Sequence, residues 1–310
     1  MNLMTNATLA PTLRAAFGDR LQEDVRLAPY TSARIGGPAD FLLEARSADE
    51  LAAMCQTLWD ADIPFRVLGG GSNVLVSDRG VRGVVVLNRA KAVTFHSGES
   101  PSVYAESGVV FSNLANRAAA QGFGGLEWAA TVPGTVGGAV YGNAGAFGGD
   151  MAHDLIYADV LVRGAGRQQW PVEKMGYGYR TSALKRGDQW VIVLGALIRL
   201  QNSSPEAARG KIEQFTARRK STQPPGASMG SMFKNPPGDF AGRLIEAAGL
   251  KGTRIGGAEI STVHGNFFVN TGETSAKDIR ALIELAQKTV AEKFGVTLEL
   301  EVELIGDWTD

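Results

Sequence analysis

Glycine clustering is the constraint that acts first on this chain. The sequence has 39 glycines in 310 residues, well above the roughly 7% average, and they gather in a few places. Gly69-Gly70-Gly71-Ser72-Asn73 follows the short strand pattern Pro64–Leu68. A second stretch runs from Gly122 to Gly149 and holds Thr131-Val132-Pro133-Gly134-Thr135-Val136-Gly137-Gly138-Ala139 and then Asn143-Ala144-Gly145-Ala146-Phe147-Gly148. Strand and helix interiors rarely tolerate so much glycine. These segments are therefore expected as close-approach backbone between packed elements. Hydrophobic content of 44% is ordinary and supplies a core for about two or three domains.

The Gly69–Asn73 loop lets backbone N–H groups converge on an anion, with Ser72 and Asn73 adding side-chain donors. It is not a Walker loop, because no Gly-Lys-Ser/Thr follows. It is not the dinucleotide fingerprint either, because Val74-Leu75-Val76 continues as strand where that fingerprint opens a helix. A tight turn between strands is the bland alternative. For the Pro133–Gly148 stretch, small residues admit a planar ligand close to the main chain. A packed loop between domains is the alternative there.

The remaining pattern reads as mixed α and β. Ser47-Ala48-Asp49-Glu50 has the form of a capping box ahead of Leu51, Met54, Cys55 and Leu58 at helical spacing. Val74–Val76 and Val84–Leu87 read as strands. Val103–Ala105 is another, followed by a helix from Ser112 to about Gln121. Strand patterns near Ile156–Val162 and Val191–Leu200 close that region. Ser204-Pro205-Glu206 starts a helix carrying Ile212 and Phe215 and ending in Arg218-Arg219-Lys220. A short helix is expected over Gly242–Gly249, with Leu244 and Ile245 inward. Ser275 starts the last helix, with Ile279, Leu282, Ile283, Ala286, Val290 and Phe294 on one face and Gly295 as its stop. A final strand alternates Val296, Leu298, Leu300, Val302 and Leu304 against Glu299, Glu301 and Glu303. The expected domains are residues 1–90, 91–201 and 202–310.

Composition excludes several classes. A net charge of -1 offers no global attraction to nucleic acid or a membrane surface. The single cysteine, Cys55, rules out an intramolecular disulfide and sits in an apolar helix pattern, so a buried thiol is expected over a reactive one. His96, His153 and His264 are too far apart in sequence for a metal-spacing motif, and no metal is expected. No run approaches the ~18 apolar residues of a membrane span. Met1–Phe17 lacks a basic start with an apolar core, so no secretory signal is read there and a cytoplasmic location is expected.

Three further segments can carry chemistry. Met229-Gly230-Ser231-Met232-Phe233-Lys234-Asn235-Pro236-Pro237 presents a hydroxyl, an ammonium and an amide ahead of a proline stop. Ser231 can be a nucleophile, a proton donor or a turn residue, and no histidine beside it in sequence supports a triad. Lys234 and Asn235 suit a phosphate or a carboxylate. Tyr179-Arg180 lies between Gly178 and Thr181-Ser182, where Arg180 can grip a carboxylate bidentately or simply face solvent. Glu299, Glu301 and Glu303 share one face by period two, and spacing alone does not choose among them.

Taken in order, Arg34-Ile35-Gly36-Gly37, the Gly69–Val76 loop, Pro133–Gly148, Gly178–Ser182, Gly230–Pro236, Leu244–Gly252, His264–Asn270 and Leu298–Gly306 resemble the UDP-N-acetylenolpyruvoylglucosamine reductase family. The resemblance covers roughly residues 30–306. It implies an α+β fold: a two-subdomain FAD-binding module of the vanillyl-alcohol-oxidase (PCMH) type, then a C-terminal α/β substrate-binding domain. It implies NADPH-dependent reduction of UDP-N-acetyl-3-O-(1-carboxyvinyl)glucosamine through FAD, in peptidoglycan precursor synthesis, with a hydride from flavin N5. The implied cofactor residues are Gly69, Gly70, Gly71, Ser72 and Asn73 at the pyrophosphate, and Pro133, Gly134, Thr135, Gly137, Gly138, Asn143, Ala144 and Gly145 along the flavin. The implied catalytic residues are Ser231 as proton donor, Arg180 near the substrate carboxylate, and Glu301 in Leu298-Glu299-Leu300-Glu301-Val302. Tyr179, Asn235 and Lys234 are implied to contact substrate. A monomer is expected, with no nucleic-acid partner.

The chain departs from the family where many relatives carry a lysine before Gln-Pro; here Thr222-Gln223-Pro224 stands, with Lys220 and Arg219 nearby. It resembles the shorter type that lacks a tyrosine-bearing lid insertion. Two rivals share parts of this pattern. One is another flavin oxidoreductase of the same module, oxidising an alcohol or sugar. The other is a non-catalytic flavin or nucleotide-sugar binding protein.

Overall fold

The computed structural model describes residues 6–187 and 189–309. Met1–Thr5, part of the stretch read for a signal, lie outside the described residues. The chain forms two compact units. The first contains Met1–Gln22, Leu42–Gly70 and Gly83–Arg218; the second contains Glu23–Phe41, Gly71–Arg82 and Arg219–Asp310.

The first unit is built on a five-stranded antiparallel sheet. Its strands, in spatial order, are Gly166–Pro171, Leu155–Val162, Val191–Arg199, Ser102–Glu106 and Val93–His96. The two β-branched runs expected to close this region pair directly, Ala158 opposite Ala196. The helix Phe111–Ala120 buries Phe111, Leu114, Ala115 and Ala118 in this unit's core. Phe111 meets the edge of Trp128 at 5.4 Å. The helix Ala48–Asp60 buries Leu51, Met54, Cys55 and Leu58, as its spacing predicts. Burial pushes the Cys55 thiol up to about 12, which fits core and not chemistry. Ser47 caps that helix by accepting the Glu50 N–H at 3.1 Å. The return half of the expected box differs: the Glu50 carboxylate takes the N–H of Arg46, not of Ser47. Beside this helix's end, Phe65–Leu68 runs parallel to the Val84–Leu87 part of the strand Val81–Asn88.

The second unit sets the helix Ala276–Phe294 against a four-stranded antiparallel sheet in the order Ala227–Ser231, Phe267–Asn270, Ala258–Ile260, Arg254–Ile255. Ser275 and Asp278 form a complete capping box on that helix, and Gly295 ends it in the left-handed region. The Asp78 carboxylate also accepts the N–H groups of Ala276 at 2.8 Å and Lys277 at 3.0 Å, where a negative charge favours a helix start. Ile279, Leu282, Ile283, Ala286 and Val290 are buried along one face. Phe294, expected on that face, is instead exposed, because it occupies the last turn beyond the sheet's cover.

Two further expectations change. The glycine-rich stretch is not all loop: Val136–Gly142 is a helix, capped by Thr135 and closed by Asn143 in the left-handed region. The final strand is shorter than its alternation suggests. Only Glu303–Ile305 forms a ladder, parallel to Val74–Val76. Upstream of it, the Met232 carbonyl accepts from Glu301 at 2.9 Å and from Val302 at 3.5 Å, which bends the chain out of register. Leu298 and Val302 are still buried, so part of the alternation survives as packing.

Candidate functional site

In the first unit, the glycine loops meet as close-approach backbone. A Cβ on Gly69 would stand 2.5 Å from the Thr135 hydroxyl, and one on Gly70 would stand 3.0 Å from the Gly134 Cα. Any larger residue at either position would force the two segments apart. Pro133 is exposed beside Gly134. The first N–H groups of the helix Val136–Gly142 are already used: Val136 donates to the Val109 carbonyl at 2.9 Å and Gly137 to that of Ser107 at 2.8 Å. This short helix therefore keeps few donors for a phosphate. In this part of the loop, among the described residues, the Gly70 N–H donates to no backbone carbonyl. A donor of this kind suits an anion.

Gly138 and Gly142 give a second test of whether a flavin fits. A Cβ at Gly138 would meet nothing nearer than the Thr135 hydroxyl at 3.8 Å, and one at Gly142 would meet nothing within 4 Å. Packing does not demand glycine there, so the missing side chains leave room for a ligand. Gly137 and Gly145 are different, with Cβ positions 2.9 Å from the Cβ atoms of Ser107 and Asp150 respectively. The first-unit residues fit a flavin nucleotide: the Gly70 N–H for a pyrophosphate, and open glycine surface at Gly138 and Gly142 for a ring system.

The stretch after that helix positions Arg180. Asn143 donates to the Gly178 carbonyl at 3.0 Å and accepts the Ala152 N–H at 2.9 Å, so its side chain works as a strut. The Ser182 hydroxyl donates to the Tyr141 carbonyl at 2.6 Å, and the Tyr177 phenol to that of Val140 at 2.8 Å. Burial raises the Tyr177 phenol, keeping it a donor. Gly178 and Thr181 exchange both backbone hydrogen bonds at 3.2 Å, which closes a turn with Tyr179 and Arg180 at its tip. Arg180 has φ +55°, and its guanidinium carbon lies 5.8 Å from the exposed Tyr179 ring. The turn and the helix end at 140–143 thus form one hydrogen-bonded group.

In the second unit, Gly71 approaches the Tyr30 carbonyl so closely that a Cβ has no room, and its own carbonyl accepts from Ser32 at 3.0 Å. Ser72 is half-buried in the bend that follows. Asn73 donates its amide to the Glu301 carbonyl at 3.0 Å. Glu301 in turn donates its N–H to Met232 at 2.9 Å. The structure thereby brings Asn73, Glu301 and the residue after Ser231 into one chain of hydrogen bonds.

Ser231 ends its strand opposite Phe267, one residue after Gly230 at φ +78°. The segment behind it is held by a side chain that imitates backbone. The buried Asn266 amide donates to the Phe233 carbonyl at 2.8 Å and accepts the Phe233 N–H at 2.9 Å, while its own carbonyl accepts from Met232 at 2.8 Å. Asn235 accepts the Ala241 N–H at 3.1 Å at the start of the helix Ala241–Ala247. Lys234 pairs with Glu299 at 2.6 Å. Lys234 is therefore tied to the glutamate segment, and Glu299 is more than a solvated neighbour of Glu301.

Ser231 and Asn235 line a cavity of about 390 Å³ with Phe240, Arg243, His264 and Asn266 among its walls. Burial, then the charge of Lys251, hold the His264 imidazole below its ordinary value. The Gly242 position lets that ring lie against the helix, since a Cβ there would stand 2.7 Å from the His264 Cε1. His264, Asn266 and Phe240 are site residues that sequence reasoning passed over. Asn266 left a signal, a lone amide directly before the apolar run Phe267-Phe268-Val269. Phe240 left none.

Among the described residues no helix is long and apolar enough to cross a membrane, and no three acidic, histidine or cysteine residues group as a metal site.

Known proteins match along the same lines. Residues 39–171 match an FAD binding domain, and residues 221–305 match the C-terminal domain of UDP-N-acetylenolpyruvoylglucosamine reductase. The enzyme of that name from Chloroflexus aggregans is 46% identical over 289 residues, covering 92% of this chain and 97% of its own. That from Rubrobacter xylanophilus is 46% identical over 284 residues, covering 92% and 95%. The crystal structure of the Thermus caldophilus reductase is similar with a TM-score of 0.78 at 37% identity, covering 92% of this chain and 99% of its own. This chain belongs to the UDP-N-acetylenolpyruvoylglucosamine reductase family.

Proposed function

We propose that this chain reduces UDP-N-acetylenolpyruvoylglucosamine to UDP-N-acetylmuramate with NADPH as reductant, and that Ser231 delivers the proton that completes the product. FAD, when bound, supplies the hydride for the vinyl group. The Gly69–Asn73 loop holds the pyrophosphate, and Pro133, Gly134, Thr135, Gly137, Gly138, Asn143, Ala144 and Gly145 form or support the wall along the ring system. A cytoplasmic monomer that engages neither nucleic acid nor membrane completes the reading, in keeping with a net charge of -1.

Hydride addition to the vinyl carbon leaves negative charge on its neighbour and on the attached carboxylate. That charge needs a fixed partner and then a proton. Arg180 is assigned to the carboxylate, because its anchored turn keeps a permanent cation at an otherwise uncharged tip. Ser231 is assigned to the proton. An unperturbed hydroxyl is a weak acid, so its transfer depends on substrate charge building beside it. Glu301 is assigned to the proton's replacement on Ser231, and Tyr179, Asn235 and Lys234 to holding substrate. The observation that carries this assignment is the Glu301 N–H to Met232 bond at 2.9 Å, which sets Glu301 beside the Ser231 strand end.

Stopped-flow separation of the two half-reactions tests it. Ser231→Ala is expected to keep flavin reduction by NADPH near normal. Reoxidation by the enolpyruvyl substrate should slow by roughly 10²–10⁴-fold, the usual share of a general acid. Near-normal reoxidation would remove Ser231 from the chemistry. Rapid reoxidation by oxygen with no response to substrate would overturn the reaction itself.

A further inference from the structure

We propose that the buried Trp128 and Asp154 are positioning residues for the flavin wall: the carboxylate fixes the indole, and the indole sets where the Gly145–Asp150 hairpin lies. The inference rests on the flavin wall assigned above and adds two residues that act on it from behind.

The hairpin continues directly from the glycine helix Val136–Gly142. It pairs Gly145 with Asp150 and Ala146 with Gly149, and Phe147 at φ +51° and Gly148 at φ +86° make its turn. Its root is bonded to the helix: the Ala144 N–H donates to the Ala139 carbonyl at 2.9 Å, and the Met151 N–H donates to the Ala144 carbonyl at 3.0 Å. At the tip, the Phe147 ring stacks on Phe215 at 4.6 Å. A two-stranded hairpin has little stability of its own, so its place is set by what it rests on.

It rests on Trp128. A Cβ on Gly149 would stand 2.6 Å from the indole Cγ and 2.7 Å from its Nε1, so the Gly149 backbone lies directly against the ring. The same Nε1 donates to the Asp154 carboxylate at 2.7 Å. Asp154 ends the short helix Met151–Asp154, which follows the hairpin and is capped by Asp150. Residues 149–154 therefore wrap the indole, with backbone against the ring at one end and a carboxylate on its N–H at the other. The Pro133-Gly134 segment is keyed to the same ring. Trp128 lies in the turn Glu127–Thr131 just before it, and the indole meets Phe111, whose N–H donates to the Gly134 carbonyl at 3.0 Å. A tilted indole would press on Gly149 and on Phe111 together.

Charge argues for a role beyond filling space. Trp128 and Asp154 are both buried. Burial raises the Asp154 carboxyl above its usual range, against the pull of the indole N–H. An apolar side chain would fill the same space without that cost. Among the described residues, the Trp128 indole is the group that donates a hydrogen bond to this carboxylate. What the carboxylate adds is direction. It holds the ring in one rotation, just as the partner behind a metal-ligating histidine holds that ring.

The test uses the FAD-loaded full chain. Affinity is read from the fluorescence of FAD released on dilution, and ring orientation from the visible circular dichroism of bound FAD. Asp154→Ala and Trp128→Phe are each expected to weaken FAD about tenfold, the equivalent of one hydrogen bond to a charged group, and to change the dichroism band. The double variant should bind no more weakly than the worse single, because the same bond is lost in all three. Asp154→Asn keeps an acceptor oxygen and should stay within about threefold of the wild type. Val160→Ala, in the buried sheet of the same unit, is the control: it should lower the melting temperature with FAD affinity unchanged. If Asp154→Ala does not fold, Trp128→Phe set against Asp154→Asn carries the comparison. Equal weakening by Val160→Ala would make the effect general loosening and overturn the proposal. So would an Asp154→Asn variant as weak as Trp128→Phe. A wild type that holds no FAD would bring down the flavin wall itself. A wild type that holds FAD no better than Trp128→Phe holds it would overturn this inference alone.

Discussion

The Tyr179–Arg180 turn and the Met229–Asn235 segment solve the same problem in opposite ways. Both present polar groups from a short irregular stretch, and both need one residue in the left-handed region. In the first unit that residue is Arg180 itself, at φ +55°. In the second it is Gly230, at φ +78°, so Ser231 sits beside the twist and carries none of it. A non-glycine residue in that region costs about 1–2 kcal/mol, which the first turn accepts and the second avoids. The supports differ too. The turn is tied down by hydroxyl and amide side chains reaching single carbonyls of Val140, Tyr141 and Gly178. The Ser231 segment is held by one buried amide, Asn266, that satisfies a donor and an acceptor of Phe233 together. Activity should therefore separate from stability at Arg180, and the two should fall together near Asn266.

The largest expected effect breaks the first half of that comparison. Arg180→Gly removes the guanidinium and relieves the backbone at once. Turnover should fall by roughly 10²–10³-fold, the usual loss when one charge-stabilising group goes. Melting temperature should hold or rise. Arg180→Ala keeps the strain, so it should be as inactive and should melt below the glycine variant. A glycine variant that melts below the alanine variant would show that the turn stores no strain. Turnover near the wild type in either would remove Arg180 from the reaction.

The next effect sharpens the second half. Asn266→Ala leaves the N–H and carbonyl of Phe233 buried without their partner. At 1–3 kcal/mol for each unsatisfied group, a loss of roughly 2–6 kcal/mol in denaturant unfolding is expected. Ser182→Ala loses the hydroxyl's bond to the Tyr141 carbonyl and its cap on the Lys185 N–H, and should cost about 1–2 kcal/mol. Equal costs for the two would mean that the Ser231 segment is no more dependent on a single side chain than the Arg180 turn is.

Sequence pattern reveals these two regions to different depths. The glycines at 69, 70, 134 and 145 are legible because close approach leaves little choice of residue. The Ser275–Asp278 box is legible because cap and partner are three residues apart. The helix Val136–Gly142 is not, since three of its seven residues are glycine. Tertiary bonds from Val136 and Gly137 to the carbonyls of Val109 and Ser107 override that propensity. Period two in Val296–Leu304 reads burial at Leu298 and Val302 but not the bend at Glu301, which the Met232 carbonyl imposes from another segment. The Lys234–Glu299 pair joins residues 65 apart, so no local spacing announces it. Glu299→Ala is accordingly a poor control for Glu301→Ala, because it also releases Lys234.

The smallest expected effect is a pH slope confined to the second region. Burial, reinforced by Lys251 and opposed by Glu246, holds the His264 imidazole below its ordinary 6.5 in the folded state. Between the folded value and 6.5 the unfolded chain binds more protons at this residue than the folded chain does. Stability from a neutral His264 is thus fully present above about pH 6.5 and is lost as pH falls through that value toward the folded one. One proton sets the ceiling at about 1.4 kcal/mol per pH unit. The Gly178–Ser182 segment contains no histidine and contributes nothing to this slope. Melting of the wild type and His264→Gln from pH 7.5 down to about 5 checks it. The two proteins differ at this one residue, so the difference between their curves reports His264. The wild type should lose the greater stability across the acid half of that range. Parallel curves would show that the cavity tolerates a charged imidazole, and that its walls are wetter than the burial of His264 implies.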